Sequence, residues 1–181
     1  MANNIFTGAI NSNSNVAGNW SLGVVPTSGD GNTAVLDASS PNFKITGSSL
    51  QVDGWDSTAY TNTITIDSGI YIIHRGNATY GSGNTITGAG YVIVGVNGMN
   101  LTTNGVVIPY FRLANYSFNM VDDLNVTTLV LVGSAAMTFN TSTSAKFNIN
   151  NITGYANLNT TFNCDVYFNG GSINMVTLIR Q

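Results

Sequence analysis

Residues 63–69 read TITIDSG and residues 85–90 read TITGAG. In each, isoleucine alternates with threonine and a glycine-containing turn closes the run. A period of two marks a strand with one buried and one wet face. The theme continues in pattern rather than in letters: LNVTTLVLVGS (124–134), FNINNITG (147–154) and INMVTLIR (173–180) follow at intervals of roughly 20 residues. One strand and turn of this length cannot bury their apolar face alone. Stacked copies can, so the pattern predicts a β-solenoid in which Ile, Val, Leu and Phe form inward columns. Outward positions then carry ladders of Thr, Ser and Asn. The alternative is a β-sandwich or jelly roll, whose strands also recur at short intervals.

The composition agrees with an all-β chain. The 181 residues include 26 Asn, 22 Thr, 16 Ser and 20 Gly, but only eight Asp, two Lys, three Arg and no Glu. The straight-chain residues that populate exposed helix faces are almost missing. Residues that suit a pleated surface are abundant. Hydrophobic residues make up 43%, too many for a disordered chain. The apolar blocks YVIVGV (91–96) and LVLVG (129–133) are strand-length, far below the roughly 18 residues of a membrane helix. A formal charge of −3, with Lys44, Arg75, Arg112, Lys146 and Arg180 scattered, argues against nucleic acid, which needs clustered cations. The length suits one continuous domain, divided into an N-terminal cap or attachment segment (1–50) and solenoid-like repeats (51–181).

Residues 19–37, NWSLGVVPTSGDGNTAVLD, hold the sharpest turn chemistry. Trp20 is an apolar plug whose N–H needs a carbonyl. Gly23 permits a backbone conformation closed to other residues. Pro26 fixes φ and holds Val25 extended. Asp30 can accept from neighbouring amides, and residues 33–37 read as the first strand. A solenoid needs such an element, because an uncovered first coil exposes strand edges.

These residues resemble the entry segment of bacterial β-solenoid surface proteins, among them autotransporter-type adhesins, phage fibres and virion-decoration proteins. Phe6, Gly8, Trp20, Ser21, Gly23, Pro26, Asp30 and Leu36 carry the resemblance, over about 30 residues. Many such segments have an earlier Trp, which NSNSNVAGN (11–19) lacks. The resemblance implies a capped solenoid at a particle or cell surface and transfers no catalytic residues.

Polysaccharide-cleaving solenoids use paired carboxylates, for which Asp53 with Asp56, Asp67, Asp122 with Asp123, and Asp165 are the available residues. Asp53 and Asp56 flank Trp55, a possible glycan contact, although DGWD also reads as an ordinary Asp-Gly turn with a buried Trp. His74 is the lone histidine, expected as a surface or partly buried polar residue and without a nucleophile motif. Cys164 is alone and expected to pack as a small core residue. No metal site, phosphate cradle or cofactor is expected, and the chain is not expected to be an enzyme.

The leading expectation is a phage virion structural protein: a capsid decoration, head fibre or tail fibre. The start MANNIFTGAI shows no signal peptide, consistent with assembly in a host cytoplasm and exposure after lysis. Such rods are expected to be homotrimers contacting other virion proteins, with lateral packing over Tyr110, Phe111 and Tyr116. The alternative is a secreted adhesin segment or carbohydrate-binding module that contacts glycans through Trp55 and the tyrosines.

Overall fold

The computed structural model describes residues 2–133, 137–141, 144–156, 160–170 and 173–176; Ser134 and the 177–180 end of the last repeat lie outside them. The chain is a β-solenoid of about six turns. Its strands form three sheets. The first contains β1 (Asn3–Ile5), β2 (Thr33–Val35), β5 (Gly54–Ser57), β8 (Ala78–Tyr80), β11 (Met99–Thr102), β13 (Phe118–Met120), β15 (Met137–Thr141) and β17 (Thr160–Asn163), in that spatial order. The second stacks β4 (Leu50–Val52), β7 (Tyr71–His74), β10 (Tyr91–Val94), β12 (Val107–Leu113), β14 (Leu124–Gly133) and β16 (Lys146–Ala156), with β18 (Asp165–Phe168) and β19 (Ile173–Val176) both on β16. The third is short: β3 (Phe43–Ile45), β6 (Thr63–Ile66) and β9 (Thr85–Thr87).

The strand ladders are all parallel, which sets aside the sandwich alternative, built from antiparallel neighbours. Register places like on like. Leu50, Ile72, Val92, Phe111, Leu129 and Ile152 pair in one inward column of the second sheet. Alternation fixes this register, because a slip of one residue turns the apolar set outward. Outside, the expected ladders are present. Asn100, Asn119, Asn140 and Asn163 form one column, with Asn119 Nδ2 donating to Asn100 Oδ1 at 3.1 Å and Asn163 Nδ2 to Asn140 Oδ1 at 2.9 Å.

The cross-section changes partway along. In the first coils the third sheet meets the second at a corner containing a positive-φ glycine: Gly47 at 77°, Gly69 at 74° and Gly88 at 93°. From Val107 to Leu113 there is no glycine, and that segment is one continuous strand. The third sheet ends at β9, and β12, β14 and β16 lengthen to 7, 10 and 11 residues. Pro109, which has no amide to donate, interrupts the pairing of β12 with β14 between Ile108 and Tyr110.

The N-terminal segment is the first coil and its lid, built into the same sheets as the repeats. The strand expected at 33–37 ends at Val35, and β1 precedes it and pairs with it. The lid covers other edges too: Ser14 N donates to Lys44 O and Lys44 N to Ser12 O, both 2.8 Å, along β3. Asn15 Nδ2 donates to Thr46 O and Ser48 O beside β4.

Candidate binding surface

The four residues of the opening motif build a closed corner. Trp20 is buried with Phe6 and Phe43 around it, edge-on at ring distances of 5.3 and 5.9 Å. Its Nε1 donates to Ser14 O at 2.7 Å, the carbonyl an indole in a core requires. Gly23 sits at φ 69°, and Pro26 is buried. Asp30 accepts from Thr27 N at 2.9 Å and Asn32 N at 2.7 Å. Less legible were two buried asparagines. Asn19 accepts from Ile10 N and Asn11 N and donates to Asn11 Oδ1 and Asn13 O. Asn4, inside the sheet, holds Val24 O and Leu22 N. In a chain with 26 Asn, nothing in the letters distinguished these two.

Six of the carboxylates accept backbone amides. Asp53 accepts from Gly29 N with both oxygens and from Gly31 N at 2.8 Å, fastening the opening turn to the next coil. Asp56 points outward on β5 and accepts from Thr58 N. Asp122 holds Thr103 N and Asn104 N of the preceding coil, and Asp123 holds Lys146 N of the following one. Asp37 binds Ser39 and Ser40, which hold its pKa below the ordinary value. Thr46 and Lys44 do the same for Asp67, whose carboxylate meets Lys44 Nζ at 3.3 Å. Asp165 is exposed. Asp53, Asp122 and Asp123 thus staple neighbouring coils, while Asp30, Asp37 and Asp56 close their own turns.

Trp55 lies in the core, only 2% exposed, with Phe43, His74 and Tyr80 against its ring and its Nε1 donating to Ser57 Oγ at 3.1 Å. The possible glycan contact at Trp55 is therefore corrected in favour of the buried indole of a turn: its side chain points inward on β5, and a sugar has no access to it. His74 is likewise buried rather than superficial, at 1% exposure between Val52 and Val94 in an inward column. Its Nε2 is 2.8 Å from Tyr80 Oη and its Nδ1 has no partner. Burial lowers its pKa to about 3 and pushes that of Tyr80 upward, so the pair is neutral. Phe111, expected on the outside, is fully buried; Tyr110 and Tyr116 are half-buried. Cys164 packs partly against the core, and burial plus the neighbouring Asp165 raise its pKa, away from a reactive thiolate. Among the described residues, no group of three or more His, Cys or Asp is placed to hold a metal ion.

What the fold does assemble is an outward face on the second sheet. Tyr71 pairs with Tyr91, Tyr91 lies 5.8 Å from Tyr110, and Tyr110 pairs with Thr128. Beside this tyrosine column runs a second, Gln51–Ile73–Ile93–Arg112–Val130–Thr153. Arg112 Cζ sits 5.6 Å from the centre of the Tyr71 ring. Arg75, the next outward position after Ile73, donates to Gly95 O at 2.9 Å and Gln51 Oε1 at 3.3 Å. The tyrosines recur near 20 residues, but their common side became visible only once register was known. Comparison of the chain with protein-family models, curated proteins and solved structures finds no match.

Proposed function

We propose that this chain is a structural protein of a phage virion, standing on the particle as a capsid decoration, head-fibre or tail-fibre component. The observation behind this reading is the use made of its carboxylates. Asp30, Asp37, Asp53, Asp56, Asp122 and Asp123 each hold a backbone amide of a turn. A lidded rod whose acids fasten its own coils is built to keep a shape. The resemblance of residues 6–36 to surface solenoids supports the same reading. So does a surface with few Lys and Arg, which leaves trypsin-like proteases little to cut.

The test is composition of the particle. Particles released by lysis of the source culture and banded by density should contain the chain in fixed ratio to the major capsid protein. Chymotryptic peptides are the readout, since five Lys and Arg leave few tryptic ones. Absence from the particles overturns the proposal. On the same reading the purified chain forms a homotrimer, with a mass by light scattering of three times 19.0 kDa.

The tyrosine column favours a second reading, a secreted adhesin segment or carbohydrate-binding module. Its aromatic contact would be this outward face in place of Trp55. Recovery of the chain from the secreted fraction and not from particles would support it.

A further inference from the structure

Arg112 is unusual among the few cations of this chain. Lys44 is paired with Asp67, Arg75 donates to Gly95 O and Gln51, and Lys146 Nζ lies 5.2 Å from the centre of the Tyr167 ring. Arg112 reaches back along the sheet to the Tyr71 ring, two coils away in register. Its Nε is buried with no hydrogen-bond partner. A guanidinium offers five N–H donors in a planar fork matched to carboxylate or sulfate. That Nε is closed off from solvent, so an incoming anion would meet the two terminal Nη groups with paired, charge-assisted bonds.

The surroundings select the same kind of ligand. Arg75 and Arg112 project from one face of a protein with net charge −3. The acid nearest in register to Arg75 is Asp53, whose oxygens are taken by Gly29 and Gly31 amides. Tyr91 and Tyr110 stand beside Arg112 on the same face, half-buried, each presenting an apolar ring with a polar tip. Adjacent coils are about 4.8 Å apart, close to the length one pyranose adds to an extended glycan. A second copy of the chain docked face to face would bring these guanidiniums against their own kind. An acidic sugar chain would meet them with opposite charge.

We infer that the outward face of the second sheet binds an acidic polysaccharide along the rod, with a carboxylate or sulfate on Arg112 and sugar rings on Tyr91 and Tyr110. The inference rests on the carbohydrate-binding reading of this face and names its ligand class, and it holds whether the chain stands on a particle or is secreted.

Calorimetric titration of the full chain with oligogalacturonate, a heparin-derived oligosaccharide and a neutral cello-oligosaccharide tests this. At least one acidic probe should bind ten-fold or more tightly than the neutral one, and the two acidic probes separate carboxylate from sulfate recognition. Arg112→Gln should weaken that binding ten-fold or more, with Arg112→Lys failing to restore it because an ammonium lacks the fork. Tyr91→Ala should weaken it several-fold, and Lys146→Gln should leave it unchanged. Unchanged circular dichroism and melting temperature in Arg112→Gln and Arg112→Lys establish that the fold survives. Absence of binding to both acidic probes at millimolar concentration overturns the inference. Wild-type affinity in Arg112→Gln does so as well. A change of oligomer mass in Tyr91→Ala with glycan affinity intact would assign the face to self-association and overturn it too.

Discussion

The two halves of the solenoid solve the same burial problem with different cross-sections. Through β9 each coil has three walls, and a positive-φ glycine turns the chain between the third and second sheets. Beyond it, β12, β14 and β16 run straight through the position of that corner. Their interiors differ accordingly. The three-walled part encloses a mixed cluster: Trp55, Tyr60, His74, Tyr80 and the polar link from Ser57 Oγ to Asn84 Oδ1 at 2.5 Å. The later part is filled by a run of rings, Phe111, Phe118, Phe139, Phe147 and Phe162, with successive centres 5.0–5.9 Å apart. The three-walled section leaves room for polar groups that must satisfy one another, whereas the later one is closed by these rings together with aliphatic side chains such as Leu113, Leu129 and Leu131. The corner residue, more than strand propensity, sets which occurs.

The largest expected effect tests whether these interiors are one cooperative unit. Trp55→Ala and Phe139→Ala should each cost about 3–5 kcal/mol, since each opens a cavity in a packed stack. Because the inward columns run through both halves, denaturant unfolding of either variant should remain a single transition. Two separated transitions, one moved by each substitution, would divide the rod at β9.

Substitution at the corners sharpens the comparison. A Cβ at Gly88 would lie 2.1 Å from the Ile66 carbonyl oxygen at φ 93°, so Gly88→Ala should cost about 3 kcal/mol. At Gly69, φ is 74° with nothing within 4 Å. Gly69→Ala should therefore cost only about 1 kcal/mol. Equal losses in chemical denaturation would remove close approach as the reason for the difference.

Acid should act first on the three-walled half. The pKa of His74 is lowered from 6.5 to about 3 by burial. The unfolded chain therefore takes up a proton near pH 6.5 that the folded chain refuses. Its contribution is fully present above pH 6.5 and is lost at about 1.4 kcal/mol per pH unit as pH falls toward 3. The lowered carboxylates Asp37 and Asp67 add loss in the same direction, but only near and below 3.8. Between pH 6.5 and 4.5 the slope should belong to His74 and flatten in His74→Gln. A slope unchanged by that variant would contradict the assignment.

The smallest effect belongs to the outer ladder. Asn119 Nδ2 donates to both Gly98 O and Asn100 Oδ1. Asn119→Asp turns that donor into a charge facing two acceptors and should cost about 1 kcal/mol, while Asn119→Ala should cost less. A stabilising Asn119→Asp, read by thermal melting, would mean the column does not contribute as drawn.

Much of the fold was legible in the letters. TITIDSG and TITGAG (63–69 and 85–90) became β6 and β9, paired Ile64 on Ile86 as their alternation required. The motif at Trp20 and Asp30 became a closed corner. The change of cross-section was also written, as the missing glycine between Val107 and Leu113, but its meaning needs the coil below for reference. The site residues were harder to read. An Asp-Gly-Trp-Asp run is compatible with a sugar platform or with a buried indole, and local sequence does not choose between them.

The sequence by itself determined a charge-poor all-β chain, the recurrence near 20 residues, and the inward set of Ile, Val, Leu and Phe. Period-two alternation and turn glycines are local properties, written within a few residues of where they act. Tertiary structure decided that Trp55 and His74 are enclosed. It decided that Asp53 is spent on the Gly29 and Gly31 amides. It also brought Tyr71, Tyr91, Tyr110 and Arg112 to one face. These are relations between coils, and a side chain's neighbours one coil away depend on register, which exists only after the coils stack.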